Sequence, residues 1–391
     1  MTDGRSGFPP SAEGVEELRG GIRGGNALLR FCIWLLCLLW LPVCSLAAGR
    51  VVTVTDPEAL QAEAFLVQEY SGTVTVTFLG DCTLGCEEKN QGSPRSFPKV
   101  IGERGYGWPF QALTRLTAAD DLTVVNLEGV LSDRELTKEL KTYNFIGPTA
   151  NTRVLTEGGV ECVTLANNHS RDYGDKGYAD TKAALETAGI GWFGTDAPAM
   201  WDNGEGLRVG FLGVSGSLSG QRLTRYREDM ETLRDLGCAA VITVMHAGTE
   251  YEPEPDGYQR QIVERAVRAG TDLIIGHHPH IVQGYEAVSG VPVVYSLGNC
   301  VFGGNFNPRD KDALALQADL TFEEGTLRDM TLRAYPISIS SYKNSNNYSP
   351  VFLTGKDAER VLNKMKESTG YAPGPFDEER GATLGNNRSA E

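Results

Sequence analysis

All five histidines of this chain stand just past apolar, strand-like runs, and that placement restricts the fold more than any other feature. Residues 161–166 (ECVTLA) precede Asn167, Asn168 and His169; residues 239–245 (AAVITVM) precede His246; residues 271–276 (TDLIIG) precede His277, His278 and His280. Two further runs end alike, in Gly80-Asp81 and in Asn126-Leu127-Glu128. Parallel strands of an open α/β sheet bring their C-terminal ends to one edge, where binding residues gather. Imidazole, carboxylate and amide oxygen collected at such an edge suit a borderline or hard divalent ion such as Mn²⁺, Zn²⁺ or Fe²⁺ rather than a thiolate site. The pattern predicts an α/β protein built around one or two such ions.

Helical patterns alternate with these runs. Strands are expected over 73–79, 121–126, 159–165, 191–193 and 207–214, and helices over 109–117, 148–157, 175–187, 225–236 and 258–269. The last three helices stop at Gly189, Gly237 and Gly270, where a left-handed residue closes a helix. Residues 281–288 and 291–296 read as a hairpin through Ser289-Gly290. Residues 314–320 and 326–336 read as a closing pair of strands, and 355–366 as a last helix. The polar tail from Ser368 is expected to be disordered. The order predicts a substantial parallel sheet with antiparallel strands late in the chain.

A net charge of −15 excludes a broad basic surface for nucleic acid. The cysteines give no secreted-domain framework; Cys82 and Cys86 could pair, and most others read as small apolar residues. Residues 1–49 stand apart from the fold. Arg19, Arg23 and Arg30 precede an uncharged run over 31–48, near the lower limit of roughly 17–25 residues for a membrane span. This predicts a single-pass signal-anchor with the main domain extracytoplasmic, or a signal peptide cleaved near Ser45-Leu46-Ala47. Residues 50–71 read as a linker, 72–340 as the functional domain, and 341–391 as a helix and tail.

Six motifs follow one another within residues 72–303. They are Phe78-Leu79-Gly80-Asp81; Val125-Asn126-Leu127-Glu128; Leu165-Ala166-Asn167-Asn168-His169 with Asp172 and Gly174; His246-x-Gly248-x-Glu250-Tyr251; Gly276-His277-His278-Pro279-His280 with Gln283; and Ser296-Leu297-Gly298-Asn299. In them the chain resembles the CapA family of capsule and poly-γ-glutamate synthesis proteins, a branch related to calcineurin-like metallophosphoesterases. The resemblance implies a metallophosphoesterase-like four-layer α-β-β-α sandwich with mixed sheets. It implies metal ligation by Asp81, Glu128 as a bridging carboxylate, Asn168 through its amide oxygen, His246 and two of the 277/278/280 histidines. His278 and His280 are preferred, since they alternate to one side if the chain is extended. His169 would be the general acid, beside Asn168 and Glu128. Asn126, Asn167, His277, Glu250 and Asn299 would orient ligands or bind substrate, with Glu250 expected to orient a histidine.

The resemblance implies a protein acting with capsule synthase or export subunits on an anionic surface polymer, poly-γ-glutamate or a capsular polysaccharide, at the membrane that the N-terminal run predicts. The ligand set suits metal-dependent hydrolysis at a phosphoryl or acyl centre. One departure favours an alternative. Where related phosphoesterases carry a histidine two residues past the first aspartate, this chain has Thr83. A non-catalytic subunit that guides polymer through a synthase–export complex is the competing expectation.

Overall fold

β-Branched alternation writes the central strand. In β2 (Gly72–Thr83), Val74, Val76 and Phe78 point to one face while Thr73, Thr75 and Thr77 point to the other. The computed structural model, which describes residues 49–62 and 70–386, builds two large mixed sheets around this strand and its neighbours.

The strands preceding the hairpin are β1 (Arg50–Thr53), β2, β3 (Leu122–Leu127), β4 (Val130–Leu131), β5 (Ile146–Gly147), β6 (Cys162–Thr164), β7 (Gly191–Phe193), β8 (Ala199–Asp202), β9 (Arg208–Ser215), β10 (Ala240–His246) and β11 (Leu273–His277). After them come β12 (Tyr285–Val288), β13 (Val291–Val294), β14 (Asn299–Phe302), β15 (Asp312–Glu323), β16 (Thr326–Ser338), β17 (Val351–Phe352), β18 (Phe376–Asp377) and β19 (Gly381–Asn386). One sheet runs β1-β8-β9-β10-β11-β13-β12 and the other β18-β19-β16-β15-β2-β3-β6-β7, with β14 added on β2 and β17 on β16. The helices are α1 (Pro57–Ala62), α2 (Phe97–Arg104), α3 (Thr114–Thr117), α4 (Thr152–Glu157), α5 (Gly174–Thr187), α6 (Gln221–Asp235), α7 (Gly257–Ala269) and α8 (Gly355–Thr369).

Three apolar layers hold the sandwich. Between the sheets, Val76, Phe78 and Val124 meet Phe211, Ile242, Val244 and Ile275. Outside the first sheet, Val241, Met245 and Ile274 pack with Met230 and Leu233 of α6 and with Ile262 and Val263 of α7. Outside the second, Leu79, Val125 and Val163 pack with Ile101, Leu116, Val154 and Leu185 of α2 to α5. The result is an α-β-β-α sandwich. α7 starts where Asp256 and Gln259 form a reciprocal capping box, and it ends at left-handed Gly270.

Several local expectations are corrected. Residues 376–386 are not a disordered tail: β18 and β19 pair, and β19 adds to β16 with Leu384 opposite Leu332. The polar composition misled because the strand's apolar content is confined to alternate positions, Ala382 and Leu384, both fully buried. The helix expected over 109–117 is a series of turns with one helical turn at α3, and the strand expected from 281 begins at Tyr285. Cys82 and Cys86 are free and buried, as are the other three described cysteines. Among the described residues no helix is long and apolar enough to cross a membrane. The 31–48 segment expected to anchor the chain lies outside them.

Candidate metal centre

The strand ends converge as the sequence pattern requires. β2, β3 and β6 run parallel, as do β9, β10 and β11, so both sheets deliver their C-terminal ends to one rim. Asp81 lies within β2 rather than after it, because the strand continues past Gly80 to Thr83. Gly80 makes that continuation possible. A Cβ there would lie 2.2 Å from the Gly298 carbonyl oxygen, which accepts the Asp81 N–H at 3.0 Å.

Asp81 and Glu128 are wholly buried. Asp81 Oδ1 lies 3.0 Å from His277 Nδ1, and Oδ2 lies 3.3 Å from His280 Nδ1 and accepts the His278 backbone N–H at 3.3 Å. Burial works against ionising Asp81, but hydrogen bonds from His277 and His280 outweigh it and hold the carboxyl well below the usual carboxylate range. Glu128 is different. Neither of its carboxylate oxygens has a hydrogen-bond partner, and burial pushes it up to about 7. Burial opposes charge on His280 as well, but the Glu128 and Asp81 carboxylates raise it to about 10. A buried pair of carboxylates therefore keeps one imidazole charged, and a divalent cation would supply that positive charge instead. Asp81, Glu128 and His280 each offer a donor atom, all within 4.8 Å of one another, and this group could hold a metal ion.

His246 stands beside them, Nε2 to Glu128 Oε1 at 3.5 Å and to His278 Nδ1 at 3.1 Å. Burial keeps it neutral, well below the usual imidazole range, and burial followed by the His280 charge lowers His278. Backbone contacts fix its tautomer. Asn167 donates to the Leu127 carbonyl at 2.8 Å and accepts the His169 N–H at 3.0 Å, so its amide orientation is unambiguous. It donates to Asn126 Oδ1 at 2.9 Å, which turns Asn126 Nδ2 toward Asp81 Oδ1 at 2.7 Å and His246 Nδ1 at 3.1 Å. His246 accepts at Nδ1, so its proton sits on Nε2 and is donated to Asn168 Oδ1 at 2.7 Å. Asn126 and Asn167 thus orient the donors.

His169 faces Glu128 at 4.0 Å through Nε2. Its Nδ1 lies 2.8 Å from Asp172 Oδ2, which also accepts the Phe145 N–H at 2.6 Å. Lys141 pairs with Asp172 Oδ1, donates to the Asn168 carbonyl at 2.7 Å, and lies 3.3 Å from the same His169 nitrogen. The carboxylate contact decides the tautomer: Oδ2 only accepts, so Nδ1 carries the proton and Nε2 points inward free to exchange one. The Phe145 ring packs at 4.6 Å from the imidazole.

All three histidines of the 277/278/280 trio reach the site, by a route the extended-chain reading did not foresee. His277 ends β11, while His278 and His280 adopt left-handed φ of 98° and 57°, so the alternation used to prefer them is absent. The Asn299 amide oxygen lies 2.9 Å from His280 Nδ1, placing Asn299 at the centre. Glu250 is exposed and hydrogen-bonds no histidine among the described residues. Sequence reasoning gave Asp172 no role, although its spacing three residues after His169 was a signal; Lys141 and Phe145 lie in an irregular loop with none.

The chain matches the family described as bacterial capsule synthesis protein PGA_cap over residues 75–304, and it belongs to that family. It is 28% identical over 334 residues to the PGA biosynthesis protein CapA of Bacillus subtilis (strain 168), covering 80% of this chain and 83% of that one. It is 26% identical over 356 residues to the capsule biosynthesis protein CapA of Bacillus anthracis, covering 84% and 81%. A probable polyglutamine synthesis accessory protein of Mycobacterium tuberculosis is 27% identical over 226 residues, covering 50% and 59%. The matched family range contains every strand-end residue described above.

Proposed function

We propose that this capsule-synthesis family member is a divalent-metal-dependent hydrolase of an anionic surface polymer or its precursor, anchored to the membrane through residues 31–48 with its domain outside the cell. The observation that carries the reading is Glu128: a fully buried carboxylate with two unpartnered oxygens, among donors from five strand ends. Leaving such a group without hydrogen-bond partners costs about 1–3 kcal/mol unless a cation compensates it.

Asp81, Glu128, His278 and His280 would hold one or two ions of the Mn²⁺, Zn²⁺ or Fe²⁺ type, with the Asn168 amide oxygen completing the set; His246, whose Nδ1 accepts from Asn126 and whose Nε2 carries its proton, would position that oxygen rather than ligate. A bound cation would polarise a phosphoryl or acyl oxygen and offset the charge that develops on it. The chain's own residues supply the rest. Asp172 holds the His169 proton at Nδ1, so that Nε2 can receive a proton and pass it to a leaving group. Lys141 neutralises Asp172 and ties it to the Asn168 backbone. Burial keeps His246 neutral, and Asn126, donating to its Nδ1, keeps the ring turned toward the donors.

The test is the metal content of the purified protein beside Glu128→Gln, by elemental mass spectrometry. One or two equivalents of a transition ion, lost in the variant, are expected. No uptake after incubation with Mn²⁺ and Zn²⁺ would sink the hydrolytic reading.

Thr83 favours a second reading, a non-catalytic subunit that guides polymer within a synthase–export complex. Its hydroxyl oxygen is buried without a hydrogen-bond partner, and a threonine is a poorer ligand than the histidine of related phosphoesterases. Normal polymer output from His169→Ala would select this reading.

A further inference from the structure

Beside the metal centre, a groove of about 370 Å³ runs between Tyr251 and Ile281, inside the matched family range, and Arg309 and Lys364, beyond it. Its inner end is Tyr251, whose ring lies 6.3 Å from that of His280. Its positively charged wall is Arg309, stacked 5.0 Å above the Tyr251 ring. We infer that Arg309, seated on Tyr251 beside His280, is a specificity-determining residue that binds a carboxylate of the polymer chain in this groove. The inference rests on the proposed action on an anionic polymer and adds where the chain is read.

Three observations support it. The groove's two cations are not equivalent. Lys364 is neutralised by Asp310 at 2.6 Å and Asp312 at 2.8 Å, whereas Arg309 makes no ion pair or hydrogen bond among the described residues. An exposed guanidinium stacked on an aromatic face keeps its N–H fork open to a planar carboxylate. Arg309 also shares its surroundings with the acids Asp310 and Glu367 in the groove and Glu250 next to Tyr251. An isolated free carboxylate would meet repulsion there; a ligand gripped at several points, such as a polymer segment, can overcome it.

The second observation is local backbone strain. Tyr251 is left-handed at φ 62°, as are His278 and His280, and the Tyr251 N–H donates to the Pro279 carbonyl at 2.8 Å. A bulky residue held in that conformation is unfavourable and tends to persist where position matters. The bond ties the Tyr251 turn to the histidine turn, so the groove wall and the metal donors are set in register. The third is reach. Ring contacts of 6.3 Å and 5.0 Å link His280 to Arg309 through Tyr251, a span that a few units of an extended polymer chain cover. A polymer segment seated at the centre can therefore reach Arg309 with a carboxylate a few units along.

The experiment uses the full-length protein, loaded with Mn²⁺, and a dye-labelled γ-linked glutamate octamer beside the same octamer with its carboxylates amidated. Fluorescence anisotropy at low salt reads both affinities. The expected result is a preference for the acid form that falls roughly 10–100-fold in Arg309→Gln, the range for one charge-assisted hydrogen-bonded contact. Affinity for the amide form stays unchanged, and Arg309→Lys restores part of the preference. Wild-type preference in Arg309→Gln, or no acid preference in the wild type, overturns the inference. Arg309-dependent binding that persists in Asp81→Ala supports it even if no hydrolysis is found, which separates the groove from the metal chemistry.

Discussion

Glu128 Oε1 and His169 Nε2 face each other at 4.0 Å, beyond hydrogen-bonding distance, and each is held by something else. Glu128 is placed by its backbone N–H, which donates to the Cys82 carbonyl at 2.8 Å, and His169 by Asp172. The gap between a cation-seeking carboxylate and an aimed imidazole suits a reacting group better than a direct contact.

Asp172→Asn tests that arrangement. The amide cannot accept from His169 and Phe145 and also meet Lys141 without turning an N–H₂ toward one of the donors. Turned toward His169, the N–H₂ makes the imidazole accept at Nδ1 and lose its tautomer; turned toward Lys141, it breaks the ion pair that anchors the arrangement. Polymer output or hydrolysis is expected to fall by roughly 10²-fold or more, with metal content unchanged. Wild-type activity in Asp172→Asn would remove His169 from proton transfer.

Glu128→Gln should invert the order of stability. Replacing an unpartnered buried carboxylate with a neutral amide is expected to stabilise the metal-free protein by about 1–3 kcal/mol. With metal at about a hundred times its Kd, the wild type should gain about 2.7 kcal/mol while the variant gains little. Melting curves with chelator and with Mn²⁺ should therefore cross. A wild type that melts alike in both conditions would contradict the cation site.

A pH effect is expected far from this centre, at the start of β6. Glu161 Oε2 accepts the Thr123 N–H at 2.8 Å, and burial, with Asp120 adding to it, pushes Glu161 up to about 7. An acid whose folded pKa is raised binds more protons in the folded state. Stability from Glu161 is therefore present below its ordinary value of about 4.3 and is lost as pH rises through 7. The loss is of order 1 kcal/mol once solvent screening is allowed for. Glu161→Gln, which keeps the acceptor, should flatten urea midpoints measured from pH 4.5 to 7.5. An unchanged slope would show that the group ionises normally.

The strand-end logic was legible because it depends on two strong signals: apolar runs of strand length, and polar ligand types placed immediately after them. It places Asp81, Glu128, Asn168, His169, His246 and the histidine trio at one sheet edge from the residue pattern alone. The path of the chain between His277 and His280 was not legible. Two left-handed histidines flanking Pro279 break the alternation that an extended reading assumes, and the backbone bond to Tyr251 that fixes the turn comes from a distant segment. Lys141 was hidden for a related reason. It acts from an irregular loop, where neither periodicity nor spacing marks which residue will fold back onto the site.

The C-terminal tail is the last test, because composition and structure disagree there. Leu384 is fully buried and lies opposite Leu332 in the interior layer, two strands from β15 and three from the β2 strand that carries Asp81. Deleting residues 376–391 would strip β19 from β16, leaving Leu332 and Ala334 exposed at a long, newly unpaired edge of the kind that aggregates. Leu384→Ala alone should cost about 2–5 kcal/mol, the usual range for emptying a leucine site in a core. Both variants should lower the urea midpoint, and the truncation should reduce soluble yield. A truncated protein with the wild-type midpoint would mean that β19 rests on the sheet without contributing to it, as a disordered tail would.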